Sequence, residues 1–320
     1  METQEAIKLV KDVFERELAD SLNLIRVSAP LFVRPESGLN DNLSGKERPV
    51  DFDIPSLGGD RGEIVHSLAK WKRDALARYN IPAGKGIYTD MNAIRRDETP
   101  DRTHSFYVDQ WDWEKVITKE DRTLTTLISA GEFILQALRK TEAKLCESYP
   151  VFGRKVPKEM FYITSQELED MFPGKTDKEK EDAICQKHAA VLLMQIGDKL
   201  SNGKPHDHRA PDYDDWSLNA DILLWDYTAG RSMELSSMGI RVDKEAMLSQ
   251  LKKAGCEDRA GLPFHKGVID GTLPLTMGGG IGQSRLCMYL LEKAHIGEVQ
   301  ASLWPDEVWE TCRKIGIDLL

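Results

Sequence analysis

Apolar residues recur at three- and four-residue steps close to the start of the chain. Within residues 5–18 this spacing is followed by Ala6, Ile7, Val10, Val13, Phe14 and Leu18. A period of this kind predicts an amphipathic helix with one buried face. Residues 23–30, which end at a proline, predict a turn and a short strand, because proline cannot donate to the ladder of a central strand.

Further along, the pattern switches between loop, helix and strand without regular βαβ units. Residues 39–60 are rich in Gly, Pro, Asn and Asp and predict a loop or hairpin. Residues 63–79 run from a strand-like start into a basic helix, and helical spacing returns at residues 123–146. Residues 160–164 are strand-like and precede charged helical turns. This order predicts an α+β fold, a mostly antiparallel sheet flanked by helices, and the lack of repeats or linkers predicts one domain over residues 1–320.

Composition and charge narrow the class of protein. The chain has 320 residues, of which 41% are hydrophobic and 30% charged, enough for a packed core. Its formal charge of -10 argues against a general nucleic-acid binder, since a polyanion would need a local basic patch. No apolar run approaches the roughly 18 residues of a membrane span, and the five cysteines form no CxxC pair. We therefore expect a soluble cytoplasmic protein.

Polar and aromatic residues alternate along HSFYVDQWDWE, residues 104–114. One face would carry Phe106, Val108, Gln110, Asp112 and Glu114, and the other Tyr107, Asp109, Trp111 and Trp113. An amide and two carboxylates on one face indicate a ligand-binding sheet surface; an exposed strand with its aromatics packed inward is the alternative. Arg95 ends the strand-like segment before it, where an arginine binds a phosphate or carboxylate or forms a surface ion pair.

Four glycines lie within residues 278–282, just before a helical segment that contains Arg285. Glycine permits close approach of the backbone to a ligand or a positive φ. A P-loop requires Lys before Ser or Thr, whereas Gln283 precedes Ser284, and no G-x-G-x-x-G is present. A tight structural turn and a nucleotide site both remain open.

Two further segments carry charged residues that suggest chemistry. Residues 206–221 contain His-Asp-His and several aspartates, but no third histidine with ligand spacing, which disfavours zinc. Mg²⁺ held by one or two carboxylates and substrate phosphates fits better, with solvated carboxylates as the alternative. Residues 234–241 are strand-like, and Glu234 and Arg241 suit opposite charges of one ligand. No GxSxG elbow surrounds the serines between them, which disfavours a serine nucleophile.

The order of these segments resembles the ammonia-dependent asparagine synthetases of the A type, the aspartate–ammonia ligases. The matching runs cover almost the whole chain: DNLSG (41–45), VHSLAKWKR (65–73), HSFYVDQWDWE, KTEA (140–143), SQEL (165–168), RAPDYDDWS (209–217), DILLW, ELSSMGIRV, GGGIGQSRL and HIGEVQASLWP. The resemblance implies the catalytic-core architecture of class II aminoacyl-tRNA synthetases. The opening helix, strand and Pro30 would be motif 1 of a homodimer, the Arg95 strand with HSFYVDQWDWE motif 2, and the glycine run with Arg285 motif 3.

The same resemblance implies a reaction. Aspartate would attack the α-phosphate of ATP, with Mg²⁺, to give β-aspartyl-AMP and pyrophosphate, and ammonia would then displace AMP to give asparagine. The partners would be these small molecules, with no nucleic acid and no membrane. The second residue is Glu2 and not a cysteine nucleophile, so free ammonia is the expected nitrogen donor. An aminoacylating enzyme of the aspartyl-tRNA synthetase kind, for which we expect a further tRNA-binding domain, and a catalytically silent amino-acid sensor are the alternatives.

The resemblance also implies roles for particular residues. Nucleotide contacts would come from Arg95 at the α-phosphate, Arg285 at the γ-phosphate or adenine side, and the backbone of Gly280 and Gly282. Asp221 and Glu234 would hold the metal. Lys72 and Arg241 would bind substrate carboxylates, while Asp41, Gln110 and Asp112 would face the α-ammonium or the incoming ammonia. Ser67, Asp214, Ser236 and Ser237 would complete the pocket. Asp41 is also the candidate proton acceptor, and Asp41, Lys72, Arg95, Gln110 and Arg285 are the candidate catalytic residues.

Overall fold

The fold is given by a computed structural model that describes residues 1–43 and 47–320. Ser44 and Gly45 of the DNLSG run lie outside the described residues. The strands of the described part are β1 (Leu24–Arg26), β2 (Phe32–Val33), β3 (Asp51–Ile54), β4 (Asp60–Ile64), β5 (Gly86–Ile94), β6 (Tyr107–Val116), β7 (Phe161–Thr164), β8 (Ala190–Met194), β9 (Asp214–Asp226), β10 (Arg231–Arg241) and β11 (Thr276–Gly282). The helices are α1 (Glu2–Leu22), α2 (Ala69–Arg78), α3 (Leu124–Ser148), α4 (Ser165–Met171), α5 (Asp177–His188), α6 (Lys244–Ala254), α7 (Pro263–Ile269), α8 (Gln283–Leu290) and α9 (Asp306–Lys314).

A large sheet organises the chain. Within the described ranges its strand order is β1-β5-β6-β11-β10-β9-β8-β7, and β2-β4-β3 form a small second sheet. The two outer pairs, β1 with β5 and β7 with β8, are parallel. The pairs between them are antiparallel. The predicted α+β fold with a mostly antiparallel sheet flanked by helices is confirmed.

Local sequence signals set the helix ends. At the end of α1, Asn23 adopts the left-handed conformation with φ 60°, and its N–H donates to Ala19. Asparagine tolerates this conformation better than most residues, so it closes the helix. At the start of α3, the Thr123 side chain accepts a hydrogen bond from the N–H of Thr126, as an N-cap does. The predicted helices at residues 5–18 and 123–146 are confirmed. Helix α1 begins three residues earlier and ends four residues later than predicted, and α3 covers residues 124–148.

The two faces of the large sheet differ in polarity. One face packs against α1, α3 and α8 in a continuous apolar core that includes Trp111, Trp113 and Met238. The other face carries separate apolar clusters, one around α2 and β5 and another around α4, α5 and β8. Between these clusters the central strands β6, β11, β10 and β9 present polar side chains, and this gap holds the candidate site.

Two other expectations concern the chain as a whole. None of the described helices is long and apolar enough to cross a bilayer. The organisation as one domain over residues 1–320 stays a prediction.

Candidate active site

The floor of the site is the pairing of β6 with β11. Each polar residue on one face of β6 lies directly opposite a glycine: Gln110 opposite Gly282, Asp112 opposite Gly280, and Glu114 opposite Gly278. A Cβ on Gly280 would lie 2.5 Å from Gln110 Oε1 and 2.8 Å from Asp112 Oδ1. The glycines are therefore required for close approach to these side chains, and the predicted alternation of polar and aromatic residues along β6 agrees with this arrangement.

A cavity of about 330 Å³ lies above this floor. Small-molecule sites typically begin at about this size. Among the predicted residues, those that line it are Asp41, Ser67, Lys72, Arg95, Gln110, Asp112, Asp214, Glu234, Ser237, Arg241, Gly280, Gly282 and Arg285. Asp221 and Ser236 are not part of this lining. The residues that line it come from segments distant in sequence, and they bring cations and carboxylates together in one space.

Lys72 points from α2 to the floor. Its Nζ lies 3.0 Å from Asp112 Oδ2 and donates to the carbonyl oxygen of Gly279 at 3.0 Å. Both charged side chains are almost fully buried. Burial lowers the pKa of Lys72, although Asp112 opposes the shift. A buried ammonium is stable only when anionic groups lie close to it. A substrate carboxylate is one group that would stabilise it.

Arg241 lies between two protein carboxylates at the end of β10. Its Nε and Nη2 donate to Glu114, with Nη2 2.7 Å from Oε2, and its Nη1 donates to Asp214. Burial alone would lower the pKa of Arg241, but Glu114 and Asp214 raise it above its ordinary value. The guanidinium is thus permanently charged and fixed in orientation, as a group that receives a ligand carboxylate must be.

Asp41 lines the cavity from the connection that precedes β3. Its Oδ2 accepts a hydrogen bond from the Ser67 hydroxyl at 2.8 Å, and its Oδ1 accepts one from the N–H of Leu43. The ring of His66 contacts the Asp41 carbonyl oxygen at 3.0 Å. These contacts fix a buried carboxylate at the cavity wall, as expected for a group that binds an ammonium or accepts its proton.

Arg95, Arg285 and Glu234 form a second charged group. Arg95 Nε is buried and finds no hydrogen-bond partner within residues 1–43 and 47–320. Arg285 donates from Nη1 to the Glu234 carbonyl oxygen at 3.1 Å. Burial alone would raise the pKa of Glu234, but Arg285 and other nearby cations lower it. An arginine with an unused donor in a cavity is suited to bind a phosphate oxygen.

Asp221 lies on β9, beside β10, next to Arg209, a cation that the sequence analysis did not assign to the site. Its carboxylate forms an ion pair with Arg209, and Asp221 lies opposite Ser237 across the two strands. Burial raises the pKa of Asp221, the nearby Glu234 carboxylate adds to the shift, and Arg209 opposes it. Asp221 Oδ1 is buried and has no hydrogen-bond partner in the described part of the chain.

The carboxylates of Asp221 and Glu234 fit a magnesium ion. Both belong to the polar face of adjacent strands, and the free Asp221 oxygen is the kind of donor that Mg²⁺ takes. No group of three or more His, Cys, Asp or Glu residues suited to a metal occurs among the described residues. Mg²⁺ is usually held by one or two carboxylates together with substrate phosphates, which is the arrangement that two carboxylates would permit.

Ser236 is the predicted residue that the structure places elsewhere, and its assignment to the pocket was wrong. It lies opposite Ile222, which belongs to the apolar core on the other face of the sheet. The register of β10 shifts between Glu234 and Ser236. A bulge of this kind inserts one residue and exchanges the faces of those that follow. Ser237 consequently lines the cavity and Ser236 does not.

Comparison with known proteins identifies the family. A family model described as aspartate-ammonia ligase matches residues 1–316. The chain is 59% identical over 319 residues to the aspartate–ammonia ligase of Clostridium tetani, covering 100% of this chain and 94% of that protein. It is 58% identical over 320 residues to that of Fusobacterium nucleatum, covering 100% and 97%. The chain belongs to the aspartate–ammonia ligase family.

Solved structures of other proteins share this fold. Asparaginyl-tRNA synthetase from Pyrococcus horikoshii, solved with asparaginyl-adenylate, superimposes with a TM-score of 0.68 at 13% identity, covering 95% of this chain and 71% of that one. Aspartyl-tRNA synthetase from Entamoeba histolytica gives 0.60 at 16% identity, covering 93% and 57%. The family thus has the fold of the class II aminoacyl-tRNA synthetases, as the sequence resemblance implied.

Several cavity residues of this family member were not predicted from sequence. Arg209, Tyr213 and His104 line the cavity, and Glu114 fixes Arg241 from beneath. Glu114 lies on the predicted polar face of β6, so the alternation pattern already contained its signal. Arg209 and Tyr213 lie within RAPDYDDWS, part of the segment 206–221 whose aspartates, and not these two residues, suggested a metal site. Their shared signal is a run of charged and aromatic residues in a connection without apolar periodicity.

Proposed function

We propose that this chain makes L-asparagine from L-aspartate, ATP and ammonia and releases AMP and pyrophosphate. The observation that carries the proposal is the presence of two cationic groups in one cavity. Lys72 and Arg241 suit the carboxylates of aspartate, and Arg95 and Arg285 suit the phosphates of ATP. Membership of the family supports the reaction, and the shared fold with a synthetase solved with an adenylate supports the intermediate.

The first step joins aspartate to AMP. An oxygen of the β-carboxylate forms a bond to the α-phosphorus, and the bond to the β-phosphate oxygen breaks, so pyrophosphate leaves. A carboxylate attacks a polyanion slowly unless charge is neutralised and the reacting atoms are placed in line. Arg95 would neutralise the α-phosphate, Arg285 the outer part of the nucleotide, and the Lys72 and Arg241 group would hold aspartate by its carboxylates.

The second step replaces AMP by ammonia. Ammonia adds to the β-carbonyl carbon, the bond from carbon to the AMP oxygen breaks, and nitrogen loses a proton. Ammonium must lose a proton before it can attack, and the fixed carboxylate of Asp41 is the proposed acceptor. Gln110 and Asp112 would complete the binding of the α-ammonium or of the incoming nitrogen, while Ser67, Asp214 and Ser237 add hydrogen bonds.

Magnesium is the proposed metal for the nucleotide. Asp221 and Glu234 would hold it, with phosphate oxygens supplying further ligands. When bound, the ion would draw negative charge from the phosphates and favour departure of pyrophosphate. The backbone of Gly280 and Gly282 would allow the nucleotide to lie close to the floor.

A homodimer and a cytoplasmic location are further parts of the proposal. Ile25 on the edge strand β1 is 55% exposed. Leu31 and Phe32, close by in sequence, are 49% and 45% exposed. A second copy of the chain would cover such apolar surface. The five cysteines are separate free thiols, which suits a reducing compartment. Light scattering that gives the mass of one chain would contradict the dimer.

The experiment that tests the proposed function is aspartate-dependent exchange of labelled pyrophosphate into ATP without ammonia, followed by a tRNA-charging assay. We expect exchange with aspartate and no charging of tRNA. Charging of tRNA would instead support an aminoacylating enzyme and the binding of nucleic acid. An absence of exchange would indicate a silent sensor.

A further inference from the structure

Arg209 reaches the proposed metal ligands from the connection between β8 and β9. Its Nη1 lies 2.8 Å from Asp207 Oδ2, and its Nη2 forms the ion pair with Asp221. The side chains of Arg209 and Asp221 are only 13% and 8% exposed, whereas Asp207 is 56% exposed. The contact with Asp221 is therefore shielded from water, and the contact with Asp207 is not.

The guanidinium lies against one of the two carboxylates that we propose hold the metal. It is close enough to influence both Asp221 and Glu234, the two carboxylates proposed to hold magnesium. The second oxygen of Asp221 is buried and lacks a hydrogen-bond partner among residues 1–43 and 47–320. Arg209 therefore satisfies half of the Asp221 carboxylate and leaves the other half as an unused ligand.

We propose that Arg209 is an internal cation that competes with free divalent metal for Asp221 and yields to it only when ATP is bound. The inference rests on the metal role proposed for Asp221 and Glu234. It goes beyond the reaction itself, because it concerns the order in which the metal and the nucleotide bind.

The charge of ATP explains why the metal ion would displace Arg209 from Asp221 only when the nucleotide is bound. A free metal ion that takes Asp221 leaves the Arg209 guanidinium in a nearly dry site, with the exposed Asp207 as its remaining ion-pair partner among the described residues. A metal ion that arrives with ATP brings phosphate oxygens, and Arg209 lines the cavity that would receive them. Because a guanidinium forms charge-assisted hydrogen bonds with phosphate oxygens as well as with carboxylate oxygens, the exchange of partners loses little. Metal and ATP should then bind with positive coupling.

The test measures Mn²⁺ binding by electron paramagnetic resonance, without aspartate or ammonia, so it is independent of turnover. Three proteins are compared with and without ATP: wild type, Arg209→Gln, and Arg209→Gln combined with Asp221→Asn. Lys314→Gln, an exposed change of the same charge on α9, controls for net charge. Without ATP, we expect Arg209→Gln to bind Mn²⁺ about tenfold more tightly than wild type, within the usual range of such coupling. Asp221→Asn should remove this gain, and ATP should improve Mn²⁺ binding less in Arg209→Gln than in wild type.

Equal Mn²⁺ affinity in wild type and Arg209→Gln would overturn the proposal. So would a gain that persists with Asp221→Asn or that also appears in Lys314→Gln. If Arg209→Gln does not fold, Arg209→Lys decides. An ammonium lacks the two separate nitrogens that contact Asp207 and Asp221, so this variant should show intermediate Mn²⁺ affinity. Wild-type affinity in Arg209→Lys would then count against the proposal. Failure of the ligase reaction would appear in the exchange assay and would leave this metal measurement unaffected.

Discussion

Glu114 holds Arg241 through both Nε and Nη2, and neither side chain reaches solvent, at 0% and 2% exposure. The pair lies under the cavity, opposite Gly278, where a Cβ would lie 2.0 Å from Glu114 Oε2. Glu114 therefore does more than balance a charge. It fixes the plane of the guanidinium that we propose receives a substrate carboxylate.

Glu114→Gln should destabilise the protein, because it leaves Arg241 with Asp214 as its single carboxylate partner. Removing one partner of a buried ion pair typically costs about 3–5 kcal/mol. Urea unfolding at neutral pH should show a loss of this size, and aspartate KM should rise. Asp53→Asn, a change on an exposed stretch of β3, serves as the control. A variant as stable as wild type would show that the pair contributes nothing to folding.

The loss of stability in Glu114→Gln should depend on pH. Burial alone would raise the pKa of Glu114, but Arg241 lowers it below its ordinary value of 4.5. The stability from this carboxylate is therefore present above pH 4.5 and is lost as pH falls through the lower folded-state pKa. The difference in unfolding free energy between wild type and Glu114→Gln should shrink in acid below that value. A constant difference from neutral to strongly acidic pH would contradict this explanation.

Gly280→Ala should impair binding of aspartate without unfolding the sheet. The added Cβ would lie 2.5 Å from Gln110 Oε1, so Gln110 or Asp112 must move. A displacement of about 1 Å near reacting groups can cost about 100-fold in kcat/KM. Gly153→Ala is the matched control, because its Cβ would meet nothing within 4 Å. Normal kinetics in Gly280→Ala would show that the close approach is not required.

Arg95→Ala should slow formation of the adenylate. Its unused buried donor is proposed to act on the α-phosphate, and removal of one donor to developing charge typically costs about 100-fold to 1,000-fold. Aspartate-dependent pyrophosphate exchange measures this step directly. Arg96→Ala, the exposed neighbour in sequence, should leave exchange unchanged. Near-normal exchange in Arg95→Ala would remove Arg95 from the proposed mechanism.

Asp41→Asn should separate the two steps. An asparagine can still accept the hydrogen bond from Ser67, but it cannot take a proton from ammonium. We expect asparagine formation to fall about 100-fold while pyrophosphate exchange falls much less. An equal loss in both assays would instead indicate that Asp41 serves only to bind aspartate.

The floor of the site could be predicted from sequence because it follows a period of two. Along β6 the polar residues Gln110, Asp112 and Glu114 share one face, and β11 sets glycines against them. The failure at Ser236 has an equally local cause. A bulge before this residue changes the face of every side chain that follows it, and no residue in ELSSMGIRV marks its position.

Arg209 could not be predicted for a different reason. It lies on the long connection between β8 and β9. In a connection of this kind the spacing of residues along the sequence does not indicate where each side chain points. The Arg209 side chain is oriented by ion pairs with Asp207 and with Asp221 on β9, and the second of these contacts forms only in the folded chain. Glu114 is an intermediate case, because the pattern placed it on the correct face while its partner Arg241 is distant in sequence.

The most direct test of the proposed reaction gives the purified protein aspartate and ATP and compares ammonium with glutamine as nitrogen donor. AMP, pyrophosphate and asparagine are measured together. We expect asparagine with one AMP and one pyrophosphate per turnover when ammonium is supplied, and a much lower rate with glutamine. Formation of ADP instead of AMP, or equal rates with glutamine and ammonium, would show that the proposed reaction is wrong.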